Sequence, residues 1–350
     1  MGLCKSSGRS CEAFVFMKAI ILLSGGLDST IAVQLMHREG LELLAINFKT
    51  PFCLCDRKTA AGGCGSHSRK VAEALGIDFK MINATDDFLE VLKKPKHGYG
   101  ANMNPCIDCR ILFFRKAKEI MAQVGASFII TGEVLGQRPM SQHKRQMDII
   151  EKESGLEGLV LKPLSAKLLP LSIPEKMGWV NRERLLNIEG RSRKPQIALA
   201  KELGINDYPC AAGGCLLTDR EFAKKIKDLI EHDELNLPNI QLLKAGRYFR
   251  LSKEAKLVVG RDEEENKFLF RLSQDSDYFF RPSRINGPSA IGRGIFNPEL
   301  INLSCKIVAR YCDKNGNDHA TILYRKLLGV EEGSASVDAL CEDELNRFRT

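Results

Sequence analysis

The chain is poor in aromatic residues: 7% of its 350 positions, with a single tryptophan. It has no apolar run near the roughly 20 residues that a membrane-spanning helix needs. Its first sixteen residues, MGLCKSSGRSCEAFVF, contain no secretory apolar core. No membrane partner is expected, and a cytoplasmic setting is. Internal repeats and low-complexity tracts are missing, which excludes solenoid and fibrous architectures. No charge sign dominates either: 52 basic and 44 acidic side chains leave +8. That excess is too small to name a nucleic-acid partner by itself, so where the charge lies matters more than its sum. The apolar fraction of 44% is that of an ordinary globular chain long enough for two or three domains.

Twelve cysteines are present. In a small exported protein they would suggest disulfides, but several sit here at ligand-like spacings in a long chain, which fits a reducing compartment. From Lys18 to about Lys162, short β-branched runs alternate with amphipathic stretches. Strands are predicted at Lys18–Leu23, Glu42–Lys49, Asp78–Asn83, Ser127–Thr131 and Leu159–Lys162; helices are predicted at Ser29–Glu39, Ser68–Leu75, Arg110–Val124 and Ser141–Lys152. This alternation predicts an α/β doubly wound parallel sheet over 17–165, preceded by a disordered extension at 1–16. Residues 166–234 lose the strands, and the helical segments Asn181–Ile188 and Pro195–Leu203 predict a small helical subdomain. Residues 235–328 turn β-rich, in IQLLKAGRYFRLS, AKLVVGRD, KFLFRLS and DYFFRPS, with a helix at Pro298–Cys312 and a last strand near His319–Tyr324. They read as an α+β module, and its 16 basic and 10 acidic residues hold most of the excess charge. Residues 329–350 read as an acidic tail.

The sharpest local signal is Ser24-Gly25-Gly26-Leu27-Asp28-Ser29-Thr30, directly after a buried strand and opening a helix. Paired glycines let backbone approach a phosphate, and a helix N-terminus aims unpaired N–H groups at an anion. The hydroxyls of Ser24, Ser29 and Thr30 add donors. Asp28 would repel bare phosphate, so it is assigned to orienting the loop or holding Mg²⁺. The GK[ST] ending of a Walker loop is missing. The segment resembles instead the SGGxDS signature of PP-loop ATP pyrophosphatases, which implies a fold of the adenine nucleotide alpha hydrolase type and adenylation of a substrate oxygen by ATP.

Asn104-Pro105-Cys106-Ile107-Asp108-Cys109-Arg110 precedes a helix, and Cys210-Ala211-Ala212-Gly213-Gly214-Cys215 follows about a hundred residues on. The NPCxxC element and the region GGCLLTDREFAKKI resemble the tRNA-specific 2-thiouridylases. Thr131-Gly132-Glu133-Val134-Leu135-Gly136-Gln137 with Ser141-Gln142 resembles the GExxGQxxSQ element of the tRNA 4-thiouridine synthetases. The resemblance, over about 17–227, implies an ATP-dependent tRNA sulfurtransferase, with Gly132 and Gln137 near the nucleotide. Sulfur transfer needs a soft nucleophile, and a helix N-terminus or Arg110 would favour a thiolate at Cys106 or Cys109. In one mechanism Cys215 carries a persulfide that Cys106 resolves. In the favoured one Cys106, Cys109 and Cys215 ligate a 4Fe-4S cluster, with Cys210 as the alternative third ligand. The sulfur donor would be sulfide or a persulfide carrier. Asp108 reads as an exposed loop carboxylate.

A second group, Cys53, Cys55, Cys64 and His67, has the spacing of a structural Zn²⁺ site, with free thiols as the alternative. Val259-Gly260-Arg261 through Asn266 resembles the GRxxxEN element of the NFACT-type RNA-binding module. RNA contacts are assigned there to Lys244, Arg247, Arg250, Arg271, Arg281, Arg284 and Arg293, with Tyr248, Phe249, Phe279 and Phe280 to stack on bases. A homodimer is compatible with the sequence. The rival readings are a PP-loop ligase forming an amide or nitrile, with cysteines that only bind zinc, and an RNA-binding adaptor without catalysis.

Overall fold

The computed structural model describes residues 17–54, 63–208, 214–313 and 319–349. In chain order the elements are β1 (Lys18–Leu22), α1 (Leu27–Arg38), β2 (Glu42–Lys49), α2 (Gly63–Ala74), β3 (Asp78–Asn83), α3 (Thr85–Lys93), α4 (Cys106–Val124), β4 (Phe128–Thr131), α5 (Lys144–Ser154), β5 (Val160–Leu161) and α6 (Ile173–Lys176). They continue with α7 (Lys194–Glu202), α8 (Arg220–Glu231), α9 (Leu237–Leu242), β6 (Arg247–Arg250), β7 (Ala255–Val259), α10 (Glu263–Leu272), β8 (Tyr278–Pro282), β9 (Ala290–Gly294), α11 (Pro298–Arg310), β10 (His319–Lys326), β11 (Glu332–Asp338) and α12 (Glu342–Asn346). The described residues divide into two compact units: 17–49, 63–84 and 106–208 in one, and 50–54, 85–105, 214–313 and 319–349 in the other.

The first unit is built on a five-stranded parallel sheet in the order β3-β2-β1-β4-β5. Parallel strands covered on both faces read as continuous apolar runs, and β1, KAIIL, buries Ala19, Ile20 and Ile21 completely. Its two sides feed two cores. Ala19 and Ile21 pack with Val33, Met36, Ala72 and Phe128, whereas Ile20 and Leu22 pack with Ile111, Phe114, Ile129 and Ile150. The strand order reverses direction at β1 and β4, and in open α/β sheets ligands bind at the carboxyl ends of the strands flanking such a point.

The second unit carries a six-stranded antiparallel sheet ordered β11-β10-β8-β9-β7-β6. Phe249, Leu257, Phe280, Ile291 and Ile322 are fully buried, and α11 contributes Cys305, Ile307 and Val308 to the same core.

Four expectations are corrected. Asn181–Ile188 forms only one 3-10 turn, Arg182–Arg184, capped by the Asn181 side chain on Glu183 N–H. KFLFRLS is helical: Asp262 accepts from Glu265 N–H at 2.8 Å and starts α10, with three glutamates in its first turn. The stretch 166–234 is not one subdomain, because 166–208 belong to the first unit and 214–234 to the second. Residues 332–349 are no tail. β11 pairs with β10, and Val337, Leu340 and Leu345 are buried in the module core. Alternation of small and polar residues in EGSASVD hid an edge strand with one light inner face.

Candidate active site in the first unit

Leu23 continues past β1, its N–H donating to Ile46 carbonyl at 2.9 Å. Its own carbonyl is held by two side chains the sequence reading missed, Asn47 Nδ2 at 2.8 Å and Ser68 Oγ at 3.0 Å. The signal was a polar residue inside the apolar run of β2. The chain then turns through Gly25, at φ +79°, a conformation glycine adopts without strain. Gly26 caps α1 with no side-chain cap bond, leaving first-turn N–H groups for an external acceptor. The Ser29 and Thr30 hydroxyls donate back to Gly26 carbonyl at 3.0 and 3.1 Å, while Ser24 and Ser29 hydroxyls lie 3.1 Å apart. In this structure the hydroxyls of Ser29 and Thr30 therefore brace the loop.

Asp28 is half-buried and accepts from Gln137 Nε2 at 2.6 Å, and Gln137 in turn accepts from Gln196 Nε2 at 2.8 Å. Gln196, fully buried on α7, was not anticipated. Asp28 Oδ1 is buried without a hydrogen-bond partner. Burial pushes the Asp28 carboxyl above its ordinary value, against the Gln137 hydrogen bond and the charges of Arg193 and Arg138. Gly132 closes the other wall. A Cβ placed there would lie 2.6 Å from Ser29 N and 2.7 Å from the Asp28 carbonyl carbon and oxygen.

Cys106 and Cys109 occupy the first turn of α4, both half-buried, and Cys106 Sγ is 3.2 Å from Ser141 Oγ. Asp108 between them is 8% exposed, not the solvated loop carboxylate expected, because the helix begins at Cys106 and turns it inward. Arg110 donates to buried Glu133 through Nε at 2.9 Å and Nη2 at 2.7 Å. Glu133 follows Gly132 directly. One short segment at the end of β4 thus touches the phosphate-loop backbone and also orients the arginine one residue from Cys109.

Cys215 lies in the second unit, opposite Cys53 in an isolated antiparallel bridge. Cys55, Cys210 and the Cys64 side chain lie outside the described residues. His67 is buried, with Nδ1 3.9 Å from Asp207 and Nε2 without a partner, and burial lowers its basicity. Among the described residues no three His, Cys, Asp or Glu side chains are grouped to hold a metal ion.

Residues 14–167 match the family described as thiamine biosynthesis protein (ThiI), and residues 246–349 match the NFACT protein RNA binding domain. The chain joins a ThiI-type PP-loop domain to an NFACT-type RNA-binding domain. It is 25% identical over 237 residues to the tRNA-specific 2-thiouridylase MnmA of Clostridioides difficile, covering 61% of this chain and 59% of the relative. It is 33% identical over 124 residues to that of Clostridium acetobutylicum, covering 33% and 35%. The chain therefore spans less than two thirds of these relatives. Among solved structures, a 4-thiouridine synthetase in complex with RNA and bound ATP aligns at TM-score 0.39 and 20% identity, over 65% of this chain and 52% of that one. The U34-tRNA thiolase NcsA of Methanococcus maripaludis, with its [4Fe-4S] cluster, aligns at 0.32 and 18%, over 65% and 70%.

In the NFACT-type domain, several residues assigned to RNA are structural. Tyr248, Phe249 and Phe280 are core residues. Arg250 is held by Asp228 at 2.6 Å and Glu234 at 2.7 Å, and Arg293 by Asp277 at 2.7 Å. Arg247 lies 4.3 Å over the Tyr311 ring. The strand period places alternate residues inward, and an inward arginine needs a buried acid, which Asp228 and Asp277 supply. Arg271, Arg281 and Arg284 remain exposed. Phe279 is half-buried and meets Phe270, 48% exposed, edge to face at 5.4 Å. With Lys267 and Arg271 these two rings line a cleft on the α10 side of the sheet.

Proposed function

We propose that the protein is an ATP-dependent tRNA sulfurtransferase: it adenylates a uridine oxygen, releasing pyrophosphate, and replaces that oxygen with sulfur, releasing AMP. The observation that carries this reading is the segment Thr131–Glu133, which abuts the phosphate loop through Gly132 and orients Arg110 beside the Cys106–Cys109 turn through Glu133. Nucleotide activation and a soft nucleophile thus share one scaffold. The NFACT-type domain supports RNA as the substrate class.

The phosphate loop fits ATP, since open N–H groups at the start of α1 face an anion and a side chain at position 132 would fill the cradle. The partnerless Asp28 Oδ1 fits Mg²⁺, a hard cation that takes carboxylate oxygen and would neutralise the leaving pyrophosphate. Gln137 and Gln196 fix the rotamer of Asp28. The uridine oxygen attacks the α-phosphorus, the bond to pyrophosphate breaks, and the carbon now bears a good leaving group. A sulfur nucleophile then forms the C–S bond as the C–O bond to AMP breaks. Cys106 and Cys109, in the first turn of α4, and Cys215 would hold a 4Fe-4S cluster, which would supply sulfide as the nucleophile; the alternative is a Cys215 persulfide, whose S–S bond breaks as the Cys106 thiolate attacks Cys215 Sγ.

The test is incubation with bulk tRNA, ATP and Mg²⁺, with sulfide in one arm and a low-molecular-weight persulfide in the other, read by nucleoside mass spectrometry and by AMP release. Thiouridine formed by the wild type, and lost in Cys106→Ala and Cys215→Ala while Cys215→Ala still releases pyrophosphate, supports the reading. AMP release with no thionucleoside under sulfide, but product with ammonia, replaces it with the ligase. Iron and acid-labile sulfide near four per chain after anaerobic purification supports the cluster, and a protein purified without them selects the Cys215 persulfide.

A further inference from the structure

The bridge between Cys53 and Cys215 has a specific register. Leu54 N–H donates to the Gly214 carbonyl at 3.3 Å and Leu216 N–H to the Phe52 carbonyl at 2.8 Å. These bonds flank the cysteines instead of joining them, so the two residues form a non-hydrogen-bonded antiparallel pair. In that register facing Cα atoms lie about 4.5 Å apart with side chains on the same side of the ladder. A disulfide requires Cα atoms about 4.4–6.8 Å apart.

The surroundings hold this register. Phe52 is buried against Phe88 at 5.4 Å and Phe222 at 6.2 Å between ring centres. On the far side of the 215–218 segment, Met103 N–H donates to Leu217 carbonyl at 3.1 Å and Asn102 Nδ2 to Thr218 carbonyl at 2.8 Å. Both cysteines are half-buried, within reach of small reagents, and neither is in a disulfide in this structure.

We propose that Cys53 and Cys215 are a reversible disulfide pair, Cys53 being the thiol that discharges a sulfur adduct from Cys215. With a low-molecular-weight disulfide RSSR as oxidant, the Cys215 thiolate attacks one sulfur, giving Cys215–S–S–R and releasing RS⁻. The Cys53 thiolate then attacks Cys215 Sγ, the S–S bond to R breaks with its electron pair on R, and Cys53–S–S–Cys215 forms. In sum two thiols are oxidised, one RSSR is reduced to two RSH, and a dithiol reverses the process. The pairing is independent of the enzyme's substrate. Its consequence, that the closed bridge withdraws Cys215 from sulfur transfer, rests on the function proposed above.

The test uses the full-length protein, reduced and then exposed to oxidised glutathione, quenched with a maleimide, digested and mapped by mass spectrometry. The wild type is expected to yield the Cys53–Cys215 linked peptide near stoichiometrically, reopened by dithiothreitol. Cys53→Ser should instead accumulate glutathione on Cys215, and Leu54→Pro, which keeps both thiols but removes the N–H that donates to the Gly214 carbonyl, should lower linkage at least tenfold. Linkage of Cys215 to Cys106 or Cys109, or a Cys215 that stays alkylatable throughout, overturns the proposal. Because the readout is a peptide mass, a failed pairing is distinguishable from a failed thiolation assay.

Discussion

Gly132→Ala is the sharpest perturbation of the nucleotide cradle. The added methyl would sit 2.6 Å from Ser29 N and 2.7 Å from the Asp28 carbonyl carbon and oxygen, nearly an ångström inside ordinary contact, and all three neighbours are backbone atoms of the first turn of α1. Neither wall yields cheaply, because β4 is hydrogen-bonded into the sheet between β1 and β5. Inserting a methyl into such a contact costs about 1–3 kcal/mol, and a displacement of order 1 Å at a positioned site costs up to about a hundredfold in function. The expected result is ATP affinity reduced about 10- to 100-fold by calorimetry, with a fall of a few degrees in melting temperature. Gly40→Ala is the control: nothing lies within 4 Å of its Cβ, but its φ of +76° imposes backbone strain. It should lower the melting temperature and leave ATP affinity unchanged. ATP binding by Gly132→Ala at wild-type affinity would refute the cradle.

Three further outcomes are expected. Asp28→Asn should abolish pyrophosphate release yet stabilise the protein near neutral pH. The folded carboxyl titrates above its unfolded value of about 4, so its favourable contribution is present below that value and lost as pH rises through the folded one. The variant's melting-temperature advantage should therefore vanish below about pH 4; an advantage independent of pH would contradict the assignment. Phe270→Ala and Phe279→Ala should each weaken single-stranded RNA binding about 5- to 100-fold in a filter assay, as loss of one stacked base does, with unchanged melting. Arg293→Ala should act oppositely, costing about 3–5 kcal/mol in urea unfolding because it strands fully buried Asp277.

What could be read from the sequence was set by periodicity and by glycine. Apolar runs such as KAIIL and ELLAINFK carry their own strand signal, and SGGLDST carries a turn that few other functions require. The network behind the loop was not legible, because Asn47, Ser68 and Gln196 act through contacts 24, 45 and 59 residues distant along the chain. Glu133 lay inside a motif already quoted, yet its partner Arg110 emerges only once α4 and β4 pack. In the NFACT-type domain, alternating Phe and Arg specify which residues share a face without saying which face is wet. Asp228, on a helix outside the sheet, decides this for Arg250. KFLFRLS has strand composition, but an Asp262 cap and an acidic first turn override it.

The closing contacts of the antiparallel sheet set a condition on biosynthesis. Phe249 bridges to Arg349, and Arg250 N–H donates to Phe348 carbonyl at 2.9 Å, so β6 stays open on that side until about a hundred further residues have been made. A nascent chain stalled before β11 would present an unpaired β10 edge and the apolar underside that Leu345 covers, both templates for association with other chains. The five parallel strands of the first unit, by contrast, are all complete once Leu161 has left the ribosome. Chaperone capture on translating ribosomes should consequently concentrate in the last third of the message.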